Sequence, residues 1–206
     1  MINHKYKFIF IHIPKCGGSS IEFSFGCDLW DKKRFPPDFY SYDLALGKDP
    51  STNKYLQHLT ITEVQEMKNN SIDDYFSFSF VRNPWSRHLS DFFFFGNAGV
   101  IDRKKCDFKN FLLNPPKADL SHAIPQFDFI YSPDGKLLVD FVGRFENLQQ
   151  DFDTVCDKIG VPRKRLPHKN PTKHKHYSKY YDEETKQIVA EKYAKDIEYF
   201  GYKFGE

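Results

Sequence analysis

Three stretches of the chain carry apolar residues at every second position or in short unbroken runs. YKFIFIHI (6–13) and YFSFSFVR (75–82) are both predicted strands, the second a strict Phe/Ser alternation that ends in a cation; KLLVDFVG (136–143) is a third candidate. Elsewhere the apolar positions recur at helical spacing. Helices are predicted over 20–25 and over 62–69, the latter with Thr62 as N-cap and Gln65 closing a capping box. Others run from Pro84 into four phenylalanines, through QDFDTVCDKIG to a stop at Gly160, and from Asp182 to a stop at Gly201. Strands alternating with helices predict an α/β fold: a P-loop-like three-layer sandwich with a central parallel sheet flanked by helices. No internal repeat is visible, and the one biased segment is the basic, histidine-rich PHKNPTKHKHYSKYY (167–181), expected to form a loop.

Composition narrows the function classes. A chain of 206 residues, 40% hydrophobic and 17% aromatic, can bury one core, so a single domain over 1–206 is expected. Thirty Lys and Arg against 28 Asp and Glu leave +2, which gives no overall field for nucleic acid or an anionic membrane; an anion site must be built locally. Cys16, Cys27, Cys106 and Cys156 form no CxxC pair or metal-ligand spacing, which predicts reduced thiols in a cytoplasm. The first apolar run, 8–13, is too short to span a bilayer and lacks a small-residue cleavage site, so neither anchor nor signal peptide is expected.

The chemistry concentrates where the first two strands end. In FIHIPKCGGSS a strand runs into Pro14-Lys15, two glycines and two serines before a helix begins. Such a turn aims backbone N–H groups and a helix dipole at one spot, with Lys15 adding a full charge and Ser19 and Ser20 an N-cap and hydroxyls. The plain alternative is a turn that needs positive φ at Gly17 and Gly18. The lysine precedes the glycines, so this is not the GxxxxGK[ST] pattern. The second strand, in FSFVRNPWSRHLS, ends in Arg82, where a magnesium-dependent phosphoryl transferase would place an acid. Ser86 and Ser90 share one helix face beyond it. Two anion grips on neighbouring strand ends, without a metal-binding acid, suit a ligand with phosphate at two separated points.

Both segments resemble motifs of the sulfotransferases that use 3′-phosphoadenosine-5′-phosphosulfate, especially the carbohydrate (family 2) group related to heparan sulfate 2-O-sulfotransferases; the similarity continues through DFVGRFENLQQDF and the C-terminal helix. The resemblance implies that Lys15, Cys16, Gly17, Gly18, Ser19 and Ser20 hold the 5′ end of that donor. It gives the 3′-phosphate to Arg82 with Ser90, and implies that no metal is needed. Cys16 stands where many relatives have threonine. The implied acceptor is a hydroxyl, of a carbohydrate by the same resemblance.

Sulfuryl transfer needs a base for the hydroxyl proton and a cation at the departing phosphate oxygen. Lys15 suits the second role. NKYLQHLTITEVQE places His58 on a loop ahead of a capped helix, and relatives commonly use a histidine in a QH.T setting as base, so that role passes to His58 by resemblance; Glu63 is the fallback. His12 is expected to be buried and structural, and His88 to pack. A metal site of His168, His174 and His176 is disfavoured by lysines at 169, 173 and 175; the loop could instead close over the donor or attract an anionic glycan. Arg144 could pair with Glu146 or a ligand. Two rival functions remain: a non-catalytic nucleotide- or glycan-binding module, and a small-molecule kinase using ATP and magnesium.

Overall fold

The computed structural model describes residues 1–27, 42–44, 47–50, 54–69, 71–167 and 174–206. Five strands, β1 (Ile2–Asn3), β2 (Phe8–Ile11), β3 (Tyr42–Asp43), β4 (Phe76–Val81) and β5 (Phe141–Arg144), form one sheet in the order β3-β1-β2-β4-β5. β2, β4 and β5 run parallel, with Ile11 opposite Ser79 and Val81 opposite Arg144. β1 pairs antiparallel with both β2 and β3, so the sheet is mixed and the parallel expectation holds for its other half. Helices flank it: α1 (Gly18–Ser24), α2 (Ile61–Lys68), α3 (Pro84–Asn97), α4 (Phe108–Leu113), α5 (Phe127–Ile130), α6 (Leu148–Ile159), α7 (Glu183–Lys192) and α8 (Ala194–Phe200).

The strands form where burial on both faces rewards them. All four residues of β2 are buried. In β4 the serines are buried as deeply as the phenylalanines because each hydroxyl has a partner: Ser79 Oγ donates to Ile11 O at 2.8 Å, and Ser77 Oγ to Asp140 Oδ2 at 2.7 Å. That same Asp140 also accepts from Ser77 N, and it delays the third strand to Phe141 instead of the expected 136.

Helix starts differ from expectation in instructive ways. Thr60, not Thr62, caps α2, and Glu63 completes the box. The long C-terminal helix breaks at Tyr193 into α7 and α8. One apolar cluster wraps the sheet with Ile21, Val64, Phe152 and Val155; a second joins α3, α4 and α7 through Leu89, Phe92, Phe111 and Val189. No helix among the described residues is long and apolar enough to cross a membrane. All three parallel strands deliver their carboxyl ends to one edge, the usual place for ligands in open α/β sheets.

Candidate functional site

The loop after β2 spends its amides unevenly. Gly17, at φ 89°, is the N-cap of α1 with no side-chain cap, so Ser19 and Ser20 lie inside the first turn and not at the cap. Lys15 shares the left-handed region at φ 68°. Gly18 is helical and needs no positive φ; a Cβ there would lie 2.2 Å from the His12 ring, so the residue is glycine for closeness of approach. The N–H groups of Gly17, Gly18 and Ser19 make no hydrogen bond among the described residues. By contrast Cys16 N donates to Ile13 O at 3.4 Å and Ser20 N to Gly17 O at 3.0 Å, so these two amides face inward. The Cys16 thiol donates to Gln126 Oε1 at 3.2 Å, and burial pushes its pKa up to about 12. No disulfide joins Cys16, Cys27, Cys106 or Cys156.

Arg82 fuses the second strand end to this loop. Its Nη1 donates to the Lys15 carbonyl at 3.1 Å, its Nε to Ser86 Oγ at 3.0 Å, and the guanidinium lies 4.0 Å from the centre of the Phe145 ring. Burial lowers its pKa below the ordinary arginine value. Ser86, not Ser90, is the serine that touches it; Ser90 is buried one turn further along α3 with no side-chain hydrogen bond among the described residues. Lys15 Nζ sits 4.0 Å over Phe94, and burial lowers its pKa to about 8, against the pull of Asp91 and with the push of Arg82.

Three histidines line up beside the loop, each with its Nδ1 on a carboxylate. His12 meets Glu22 at 2.8 Å, His58 meets Asp119 at 2.9 Å, and His122 meets Asp91 at 2.6 Å. Ring centres are 5.1 Å apart from His12 to His58 and 5.6 Å from His58 to His122, both edge-on. Burial pushes His58 down to about 4, although the Asp119 hydrogen bond opposes it, so the ring is uncharged near neutrality. Burial raises Asp119, yet its hydrogen bonds from His58 and Ser121 prevail and hold it well below the usual carboxylate range. His58, Asp119 and His122 each bring one ligand-type atom within 4.8 Å of the others. Glu63 is engaged by the cap of α2 and by an ion pair with Lys54.

Several residues that build this region are not expected from the sequence. Arg87, fully buried, donates to the carbonyls of Pro14, Ile124 and His122, each at 3.1 Å, and clamps the loop to the segment that carries Asp119 and His122. Gln126 bonds both backbone groups of Arg82 at 2.8 Å. The signal was present in ADLSHAIPQF, an Asp, Ser, His and Gln set among apolar residues. His88 stacks on Tyr193 at 4.1 Å with Nε2 unpartnered among the described residues, and Phe94 stacks on His122. Arg144 donates to Phe200 O, not to Glu146, which accepts from Asn83 N and Tyr202 Oη. Of the basic loop, His168, Lys169 and Lys173 lie outside the described residues. His174 stacks on Phe93 and bonds Lys175 O, and His176 bonds Ser178, so both are held locally.

A family model described as "Sulfotransferase family" matches residues 1–203. The chain is also 34% identical over 97 residues to an uncharacterized protein of Archaeoglobus fulgidus, covering 44% of this chain and 72% of that one. No solved structure matches.

Proposed function

The chain belongs to the sulfotransferase family, and on that premise we propose that it moves the sulfuryl group of 3′-phosphoadenosine-5′-phosphosulfate to a hydroxyl group of a carbohydrate, with His58 as general base and without a metal. The observation that carries this reading is the bond from Arg82 Nη1 to the Lys15 carbonyl. It makes one continuous surface of the uncommitted loop amides and the second strand's cation, which suits a donor gripped at both phosphates. The carbohydrate acceptor rests on the resemblance of the motifs.

In this reading the N–H groups of Gly17, Gly18 and Ser19 and the Lys15 ammonium take the 5′ end, and Arg82, with Ser86 and Ser90 on the α3 face, takes the 3′-phosphate. The acceptor oxygen bonds to sulfur as its proton passes to His58 Nε2. The bond from sulfur to the 5′-phosphate oxygen breaks, and the electron pair leaves on that oxygen, where Lys15 offsets the charge. Adenosine 3′,5′-bisphosphate is the leaving product.

The test is thermal stabilisation by adenosine 3′,5′-bisphosphate against ADP, each with magnesium and with a chelator. At about 100 times its dissociation constant a ligand adds roughly 2.7 kcal/mol. Stabilisation by the bisphosphate without metal is expected, and stabilisation by ADP only with magnesium replaces this reading with a kinase. Arg82→Ala should weaken bisphosphate binding by about ten- to a hundredfold, the loss of a charged hydrogen bond.

A further inference from the structure

Asp119 meets His58 from a fixed position. It is the N-cap of the short turn Leu120–Ala123, where its Oδ1 accepts from Ser121 N at 3.0 Å and from Ser121 Oγ at 2.5 Å. These two bonds stop the carboxylate from rotating and leave Oδ2 for the His58 Nδ1 at 2.9 Å. Ser121 Oγ lies 3.0 Å from the same nitrogen. On the other side of the ring, the Gln57 amide nitrogen is 3.2 Å from His58 Nε2. An amide nitrogen only donates and a carboxylate only accepts, so both contacts select one tautomer: hydrogen on Nδ1, lone pair on Nε2. Behind Asp119 stands His122, with Nε2 3.7 Å from Oδ2 and its own Nδ1 held by Asp91 at 2.6 Å. His122 O is also pinned by Arg87. The far side of the carboxylate is therefore closed by a side chain that cannot turn away.

We propose that Asp119 is the positioning residue of this site: it locks His58 in the tautomer that presents Nε2 as base, and the Asp91–His122 pair braces it from behind. The proposal rests on the reading of His58 as base for its catalytic meaning, and on the hydrogen bonds alone for the tautomer. When His58 takes the acceptor proton on Nε2 it becomes an imidazolium beside the Asp119 carboxylate, which stabilises the charge and keeps its own proton count unchanged. In this reading Asp119 acts through His58, so its removal should lower turnover and leave donor affinity alone.

The experiment uses the full chain with ¹⁵N-labelled histidine. Long-range ¹H–¹⁵N spectra at pH 7.5 should show His58 protonated at Nδ1 and without hydrogen at Nε2, and Asp119→Ala, which leaves only the Gln57 contact to favour that form, should admit a measurable share of the other tautomer. Asp119→Asn, nearly isosteric, serves as the second variant should the alanine form fold poorly: its amide oxygen can keep the tautomer while the charge is gone. Turnover should fall in both by up to the whole general-base contribution, about 10²- to 10⁴-fold, with bisphosphate affinity unchanged. A wild-type His58 protonated at Nε2, or an alanine variant that keeps the Nδ1 form and full turnover, overturns the proposal. So does stoichiometric Zn²⁺ that shifts His58 and His122 together, because the three convergent side chains would then be a metal site. If the tautomer responds as expected while the wild type transfers no sulfuryl group, positioning stands and the base reading alone falls.

Discussion

Lys15 carries two unusual conditions at once, a left-handed backbone and an ammonium pressed by burial to a pKa of about 8. A cation that titrates there binds anions in its protonated form only, so bisphosphate affinity should fall as pH rises from 7 through 9. Calorimetric titration across that range checks this: Lys15→Met should bind more weakly throughout and lose the slope, and a parallel slope in the variant assigns the pH dependence elsewhere. Arg87 illustrates the opposite kind of residue, one whose charge is spent wholly inside the protein. Its three carbonyl partners need a planar fork, which lysine cannot offer. Arg87→Lys should therefore cost about 2–4 kcal/mol in urea unfolding, since each carbonyl left buried without a donor costs about 1–3 kcal/mol. A near-neutral result would mean that water replaces the fork.

At the scale of elements, α2 shows why boundaries are the hardest part of a sequence to read. T-I-T-E-V-Q holds two overlapping capping boxes, Thr60 with Glu63 and Thr62 with Gln65, and local chemistry does not choose between them. Burial chooses: starting at Ile61 puts both Ile61 and Val64 into the core, each about 1% exposed. Thr60→Ala should then cost about 1 kcal/mol while Thr62→Ala costs nearly nothing, measured by chemical denaturation; equal losses would return the cap to Thr62. Existence and order of the main elements were legible because Phe/Ser alternation and Gly160 act locally, and the two strand-end motifs were legible because glycine, lysine and arginine sit there in unusual order. Asp119, His122 and Gln126 stand out in ADLSHAIPQF only as polar residues among apolar ones; their meeting with the loop was not legible, since nothing in a ten-residue window says that a turn 61 residues on from His58 will lie against it. The antiparallel half of the sheet escaped for a similar reason: β1 is two residues long and is a strand only because β2 and β3 flank it.

The whole molecule adds these local choices into a pH response. Burial holds His88 well below the ordinary histidine value and His58 at about 4. In the unfolded chain both regain a pKa of about 6.5, so below that pH the unfolded state binds protons that the folded state refuses. Stability must then fall as pH drops from about 6.5 toward about 4, by up to about 1.4 kcal/mol per pH unit for each such group. Further down, Asp91 and Asp119 add a second loss, because both are held below the usual carboxylate range in the fold and take up protons more readily once it opens. His88 separates the contributions cleanly. Its Nε2 has no partner among the described residues and its ring stacks on Tyr193, so His88→Phe keeps the stack and removes one titrating group without breaking a hydrogen bond seen there. Urea midpoints measured from pH 7 to pH 4 should diverge in its favour as the pH falls, the variant losing about one proton's worth of slope. Parallel curves would mean that His88 is protonated as easily inside the protein as outside, and that the acid sensitivity of this fold belongs to the His58 cluster alone.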